Sequence, residues 1–411
     1  MSPDITTNPY RGDFPLLERN PDLAYLDSAA TAMRPAVVLD AQREFYETMN
    51  ANPLRGLYQL SVAATQAIDD ARDTIAHFIG ATGAGAPQIV FGRNASEMLN
   101  LCAHCLGQHL GIGVGDEVVI TVMEHHSNMI PWQQLCAKTG ATLRYLYPNP
   151  DGSVTDQQIA DAIGERTKIV SCCHVSNVLG SVTPVRGIAD RAHEVGALCV
   201  VDAAQSVPHL RVSVNELGCD LMAFSAHKFG GPMGIGVLWG RPELLAALPP
   251  FLTGGEMIDS VTEQDAVWAP VPARFEAGTQ DAAGIYATAA AIRYLEDKGM
   301  DVLEERERAL ACELTNALAA LPYVEVLGPA DGCDHVGSVS FAVDGIHPHD
   351  VASLLDMKGV AIRAGHHCAQ PLLTWLGHES TCRASVAFYN DVHDIEHLVD
   401  GLNYVWSVFH G

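Results

Sequence analysis

The stretch RAGHHCAQP, residues 363–371, places Cys368 directly after two histidines in a loop bounded by Gly365 and Pro371. By residue type the loop fits a metal site, a reactive thiol or a packed turn. A metal is the poorer fit, because consecutive side chains in an extended loop point apart and do not converge on one tetrahedral ion. A reactive thiol beside two imidazoles and a packed turn that happens to contain a cysteine both stay open on the residues alone.

A second set of residues is spread over four sequence stretches. LMAFSAHKFGGP puts Lys228 after an apolar run, with Ser225 and His227 beside it. A lysine among apolar residues is costly unless paired or used covalently, and its strongest chemical use is an imine with an aldehyde cofactor. VVDAAQSVPHL ends another apolar run in Asp202, with Gln205 close behind. An aspartate there either keeps such a cofactor's ring nitrogen protonated or caps the following helix. In MEHHSNMIPW, His125 stacks on an aromatic face or caps a helix. FGRNASEMLN offers Asn94 as a helix cap with Glu97 three positions on, leaving the amides of Ala95 and Ser96 for an anion such as phosphate. A plain cap is the simplest reading of Asn94 alone. What joins the four is that each falls at a strand terminus on one sheet edge, where open α/β sheets bind ligands.

Three further patterns read as packing or surface. Cys102 and Cys105 have the CxxC spacing, but they lie well inside a helical stretch with no second pair. His393, Glu396 and His397 fit HxxEH, yet too little chain follows to supply another zinc ligand. Gly111, Gly113 and Gly115 follow a helix and precede a strand, the reverse of a dinucleotide loop.

The elements that position these residues follow from periodicity. From about residue 88, short β-rich runs (QIVFG, DEVVITVM, TKIVSCCHV, ALCVVDAAQ, LMAFSAHK) alternate with helical stretches. Runs apolar throughout suit strands covered on both faces, so the expectation is an α/β fold with a mostly parallel sheet. Past GIGVLWG the rhythm changes to two long helices, then a mixture of strands and helices, which reads as a smaller α+β domain.

A chain of 411 residues favours two domains, and 48% hydrophobic with 18% charged residues fits a globular enzyme. The net charge of −25 repels nucleic acid and anionic lipid, so neither is an expected partner. Eleven cysteines, an odd and scattered count, do not form a secreted disulfide framework. MSPDITTNPYRGDFP lacks a signal-peptide layout and no run suits a membrane helix, so a cytoplasmic protein is expected.

Taken in order, YLDSAATA, MEHHSNMIPWQ, HVSNVLG, VDAAQSVPH, SAHKFGGPMGIG, RFEAGTQ, RAGHHCAQPLL and CRASVAFYN resemble the pyridoxal-phosphate enzymes of aminotransferase class V, specifically the SUF-type cysteine desulfurases. The resemblance spans nearly the whole chain. It implies the fold type I of PLP-dependent transferases: a large domain with a mostly parallel seven-stranded sheet and a smaller α+β C-terminal domain. Residues 1–30 would pack on the domains, 31–289 form the large one, and 290–411 form the small one with the Cys368 loop.

The same resemblance assigns roles. Lys228 forms the Schiff base, Asp202 pairs with the pyridinium nitrogen, Gln205 reaches the ring hydroxyl and His125 stacks on the ring. Ser225, His227, Ser96 and the Ala95 amide hold the phosphate, with Thr279 supplied by a second subunit of a homodimer. Asn177 and Arg383 orient the substrate L-cysteine, Arg383 by a bidentate pair with its carboxylate, with Arg55 and Arg363 as further contacts. Cys368 accepts the sulfur as a persulfide while alanine leaves, and the sulfur serves iron–sulfur cluster assembly. HPHD at 347–350 resembles the subgroup that delivers persulfide to a zinc-bearing acceptor, where His349 serves as a zinc ligand; a helix N-terminal histidine is the plain alternative. Three positions depart from the family pattern: Ala95 for threonine, Ala226 for the commoner glycine, and Leu54 for histidine.

Two other functions remain open on the sequence. One is a selenocysteine lyase or another carbon–sulfur lyase in which Cys368 is auxiliary. The other is a zinc-binding regulatory module without cofactor, which predicts a colourless protein with stoichiometric zinc.

Overall fold

The computed structural model describes residues 3–54, 56–81, 88–329 and 331–411, so Arg55 lies outside the described residues. After a short strand β1 (Ala24–Tyr25) come β2 (Ile89–Gly92), β3 (Glu117–Thr121), β4 (Thr142–Leu146), β5 (Thr167–Cys173), β6 (Leu198–Asp202), β7 (Leu221–Ser225) and β8 (Gly236–Gly240). β2 to β8 form one seven-stranded sheet in the order β2-β8-β7-β6-β5-β3-β4, as expected for this fold. Only β8 runs antiparallel to its neighbours.

The unbroken apolar runs have a direct structural cause. Every residue of β3, β7 and β8 is buried, because helices cover both faces. Side chains alternate between faces, so Val119, Val170 and Val201 join one apolar cluster. Val118, Ile169 and Val200 join the other. Each fully buried Val, Leu or Ile contributes about 1.5–3 kcal/mol.

A hairpin of β9 (Ile258–Val261) and β10 (Ala266–Trp268) leads to the long helices Ala282–Lys298 and Met300–Ala319. The first packs on the helices Ala36–Thr48 and Gln59–Phe78. The second packs on a four-stranded antiparallel sheet of β11 (Val324–Leu327), β12 (Ser338–Val343), β14 (Arg363–Gly365) and β15 (Thr381–Ser385). β1 pairs in parallel with β13 (Val360–Ala361), and Asp27 forms a bridge with Ser385. The N-terminal segment is thereby tied to the second sheet.

The three discounted motifs behave as read. Cys102 and Cys105 are buried in the helix Ala95–His109, and burial pushes the Cys105 thiol up to about 12, so neither is a ready thiolate. His393 Nδ1 and Glu396 pair at 3.0 Å on an exposed helix face. Gly111 and Gly115 sit in turns at positive φ. Cys312 and Cys333 form a disulfide, a pairing the cysteine count does not reveal. Among the described residues no helix is long and apolar enough to cross a membrane.

Candidate active site

Four strand ends of the large sheet meet the second sheet around a cavity of about 290 Å³. β6 ends in Asp202, β7 leads into Ser225, His227 and Lys228, and the turn after β3 brings in His125. β2 is followed by the helix whose first residues, Ala95 and Ser96, also line the cavity. Asn177, Gln205, Arg363, Cys368 and Arg383 complete the set from the sequence. The residues from Ala95 to Lys228 share one space because the carboxyl ends of their strands lie on one edge, and the antiparallel second sheet brings Arg363, Cys368 and Arg383 against that edge.

The helix N-terminus is set by a clear local device. Asn94 accepts from the Glu97 amide at 2.9 Å, the cap read from the sequence. A Cβ on Gly236 would sit 2.5 Å from the Asn94 backbone, so only glycine lets β8 run so close beneath this turn. The Ala95 amide, expected to face an anion, instead donates to Ser225 Oγ at 2.7 Å. A hydroxyl from the neighbouring strand end reaches that amide first, which periodicity cannot show. Ser96 Oγ lies 2.5 Å from Ser127 Oγ.

Lys228 is the chemically distinctive group. Its Nζ donates to the Ala29 carbonyl at 2.6 Å. Burial, reinforced by the Arg383 charge, brings its pKa down to about 8. A usable share of the amine is therefore neutral near physiological pH. Burial raises the Asp202 carboxyl, while the Ala204 amide at 2.9 Å and the Lys228 charge oppose that rise. His125 is lowered to about 3 by burial and then by Lys228, so its ring is a neutral face, with Nδ1 accepting from the Ser127 amide at 3.1 Å. His227 is likewise lowered to about 4 by burial.

Arg383 and the cysteine loop close the other side. Arg383 Nη2 meets Asp27 at 3.1 Å and Nη1 donates to the Asn177 carbonyl at 3.0 Å. Its Nε has no partner, leaving a buried guanidinium donor with the geometry to take a carboxylate. Arg363 also pairs with Asp27, at 3.4 Å. In the loop, His367 and Cys368 adopt φ of 50° and 57°, a left-handed conformation costing about 1–3 kcal/mol each. Three contacts hold it: the Asn177 side chain donates to the His367 carbonyl at 2.7 Å, the His126 amide to the Cys368 carbonyl at 2.6 Å, and His367 Nε2 meets Thr381 Oγ1 at 3.0 Å. Cys368 is the exposed free cysteine, whereas the others are buried.

Two predicted residues lie elsewhere. Thr279 sits 3.2 Å from Asn52 Oδ1 beside a different cavity, so within one chain it does not join this site. His349 is exposed at the start of the helix Pro348–Asp356, yet its Nε2 lies 4.0 Å from the position of a Cβ on Gly365, at the base of the cysteine loop. Among the described residues no three His, Cys, Asp or Glu group to hold a metal ion. Asp27, His367 and Glu124 were not singled out from the sequence. The signal for Asp27 was a lone carboxylate directly after the apolar run AYL.

Residues 24–398 match the family model for aminotransferase class-V. The chain belongs to the class-V aminotransferase family. Within it, this class-V chain is 46% identical to a probable cysteine desulfurase of Halalkalibacterium halodurans, over 95% of both chains. A cysteine desulfurase from Thermococcus onnurineus NA1, solved in the apo state, superposes with a TM-score of 0.91 at 38% identity, covering 98% of this chain and 99% of the other. The Escherichia coli cysteine desulfurase CsdA superposes with a TM-score of 0.88 at 34% identity, covering 97% and 98%.

Proposed function

We propose that the chain is a SUF-type cysteine desulfurase of the cytoplasm: it converts L-cysteine to L-alanine with pyridoxal 5′-phosphate and leaves the sulfur as a persulfide on Cys368. The observation that carries this reading is one cavity holding a half-buried, partly neutral lysine, a buried carboxylate and an arginine with an unpaired donor, with an exposed cysteine at its rim. That donor set fits the cofactor. Asp202 suits the ring nitrogen, the neutral His125 ring its face, Gln205 its hydroxyl, and Ser96, Ser225 and His227 its phosphate.

When bound, the cofactor supplies an aldehyde for exchange between amines and a ring that stores the electron pair released at the substrate's α-carbon. Lys228, displaced by the substrate amine, takes the α-proton at Nζ. Arg383, steadied by Asp27, holds the substrate carboxylate. The Cys368 thiolate attacks the substrate sulfur; a sulfur–sulfur bond forms as the carbon–sulfur bond breaks, the β-carbon is protonated, and Lys228 returns a proton to the α-carbon to give alanine. The persulfide then passes to an acceptor protein for iron–sulfur cluster assembly, with exposed His349 beside the loop as a contact to a zinc-bearing acceptor. A second copy of the chain brings Thr279 to the phosphate.

Cofactor-loaded protein given L-cysteine and a thiol reductant is expected to release alanine and sulfide in equal amounts, and one turnover without reductant leaves a persulfide on Cys368 by mass spectrometry. Alanine formed from selenocysteine but not from cysteine would favour the lyase alternative, and a colourless zinc-loaded protein the regulatory module.

The lysine also sets a pH dependence. Covalent capture of the cofactor needs neutral Lys228, whose share grows as pH rises through about 8. Appearance of the visible band in cofactor-free protein should therefore quicken up to about that pH and then level off. An unperturbed lysine would keep accelerating towards its ordinary value of 10.5.

A further inference from the structure

Glu124 is fully buried, and no step of the reaction above uses it. It ends the polypeptide stretch that leaves β3, one residue before His125. Its Oε1 accepts from Thr121 Oγ1 at 2.5 Å and from the Cys173 amide at 2.9 Å, where β5 ends beside Asp202. Its Oε2 accepts from Asn128 Nδ2 at 2.6 Å. Asn128 is itself fixed, with Oδ1 accepting from Trp132 Nε1 at 3.0 Å and from Ser171 Oγ at 2.6 Å. Burial raises the Glu124 carboxyl, while the Thr121, Asn128 and Cys173 donors oppose that rise by favouring the ionised, accepting form.

Glu124 and Asn128 thus clasp each other across three residues, and the Asn128 amide closes the same turn on the His125 carbonyl at 2.8 Å. The three residues between them reach three parts of the site. His125 lines the cavity, Ser127 Oγ meets Ser96 Oγ, and the His126 amide holds the Cys368 carbonyl. His126 Nε2 also accepts from the Gln370 amide at 3.3 Å, just past the cysteine. A turn with that many dependants needs an anchor that does not shift, and a buried carboxylate with three donors is one.

We propose that Glu124 is a positioning residue, which, through its clasp with Asn128, holds the His125–Ser127 turn and thereby sets His125, the helix carrying Ser96 and the Cys368 loop relative to one another. The inference rests on the cofactor reading of the cavity. It does not make Glu124 a catalytic residue, since the carboxylate faces the protein interior and its partners are side chains and backbone.

E124Q breaks the clasp specifically. If its amide oxygen keeps Thr121 and Cys173, its NH2 faces the Asn128 NH2, donor against donor. The double variant E124Q/N128D restores it, because a carboxylate at 128 accepts from that NH2 and still from Trp132 and Ser171. Two readouts apply: visible circular dichroism per bound pyridoxal 5′-phosphate, and the alkylation rate of Cys368 in cofactor-free protein, where it is the exposed free thiol. E124Q is expected to lose most of the visible dichroism and to change the alkylation rate several-fold, and E124Q/N128D to recover both. Wild-type values for both in E124Q would overturn the proposal even with a lowered Tm, because Tm alone follows a merely structural role. Should E124Q not fold, folded E124Q/N128D decides: wild-type values support the clasp and altered values refute it. A wild-type protein with no visible band would refute the cofactor reading, and the alkylation arm would still decide the clasp.

Discussion

Replacing Cys368 by Ser should lower alanine release from L-cysteine by roughly 10²-fold or more, with the visible cofactor band and Tm unchanged. The change swaps one exposed atom on a loop, and surface substitutions of that kind usually stay within about 0.5 kcal/mol. The serine hydroxyl matches the thiol in size but does not ionise near neutral pH, so it cannot attack the substrate sulfur. The loop gives the thiol its position: His367 and Cys368 are held left-handed by donors from Asn177 and His126, and Arg383 contributes positive charge nearby. Full retained turnover of cysteine in this variant would make Cys368 auxiliary and sink the persulfide mechanism. Single-turnover mass spectrometry provides the second check, since the variant should carry no additional sulfur.

The sequence made the large sheet and the placement of its strand ends legible, because β3, β5, β6, β7 and β8 are buried on both faces and read as continuous apolar runs. Lys228, Asp202 and His125 could be assigned to one edge for the same reason. What stayed hidden depends on contacts between distant parts of the chain. Asp27 becomes a partner of Arg383 only because β1 docks beside β13 and Asp27 bridges to Ser385. The Ala95 amide is taken by Ser225, a hydroxyl 130 positions away. Glu124 read as part of a histidine motif, whereas its role follows from Asn128 four residues on and from the end of β5. The disulfide of Cys312 and Cys333 likewise needs the helix Met300–Ala319 and the turn at Gly332–Asp334 to be packed together.

Lys228→Ala and Lys228→Arg should both abolish covalent capture of the cofactor and lower turnover by at least roughly 10²–10⁴-fold, the share a positioned base alone provides. The pair separates charge from nucleophilicity. Arginine preserves a cation beside Asp202, but its guanidinium stays protonated, so it neither joins the aldehyde nor takes a proton. Activity surviving in Lys228→Arg would show that only the charge matters and would overturn the assigned role. Neither result should be confused with unfolding. The Ala29 carbonyl that accepts from Lys228 at 2.6 Å also accepts from Gln205 Nε2 at 2.9 Å, so Lys228→Ala leaves no buried carbonyl unpaired there. It also removes a half-buried ammonium that desolvation and Arg383 disfavour more than Asp202 and Asp27 favour it, the net effect being a lowered pKa. The Tm of cofactor-free Lys228→Ala is therefore expected to equal or exceed that of the wild type, which would place the lost activity in the amine itself, because a residue kept for packing would lower stability when cut back to its Cβ.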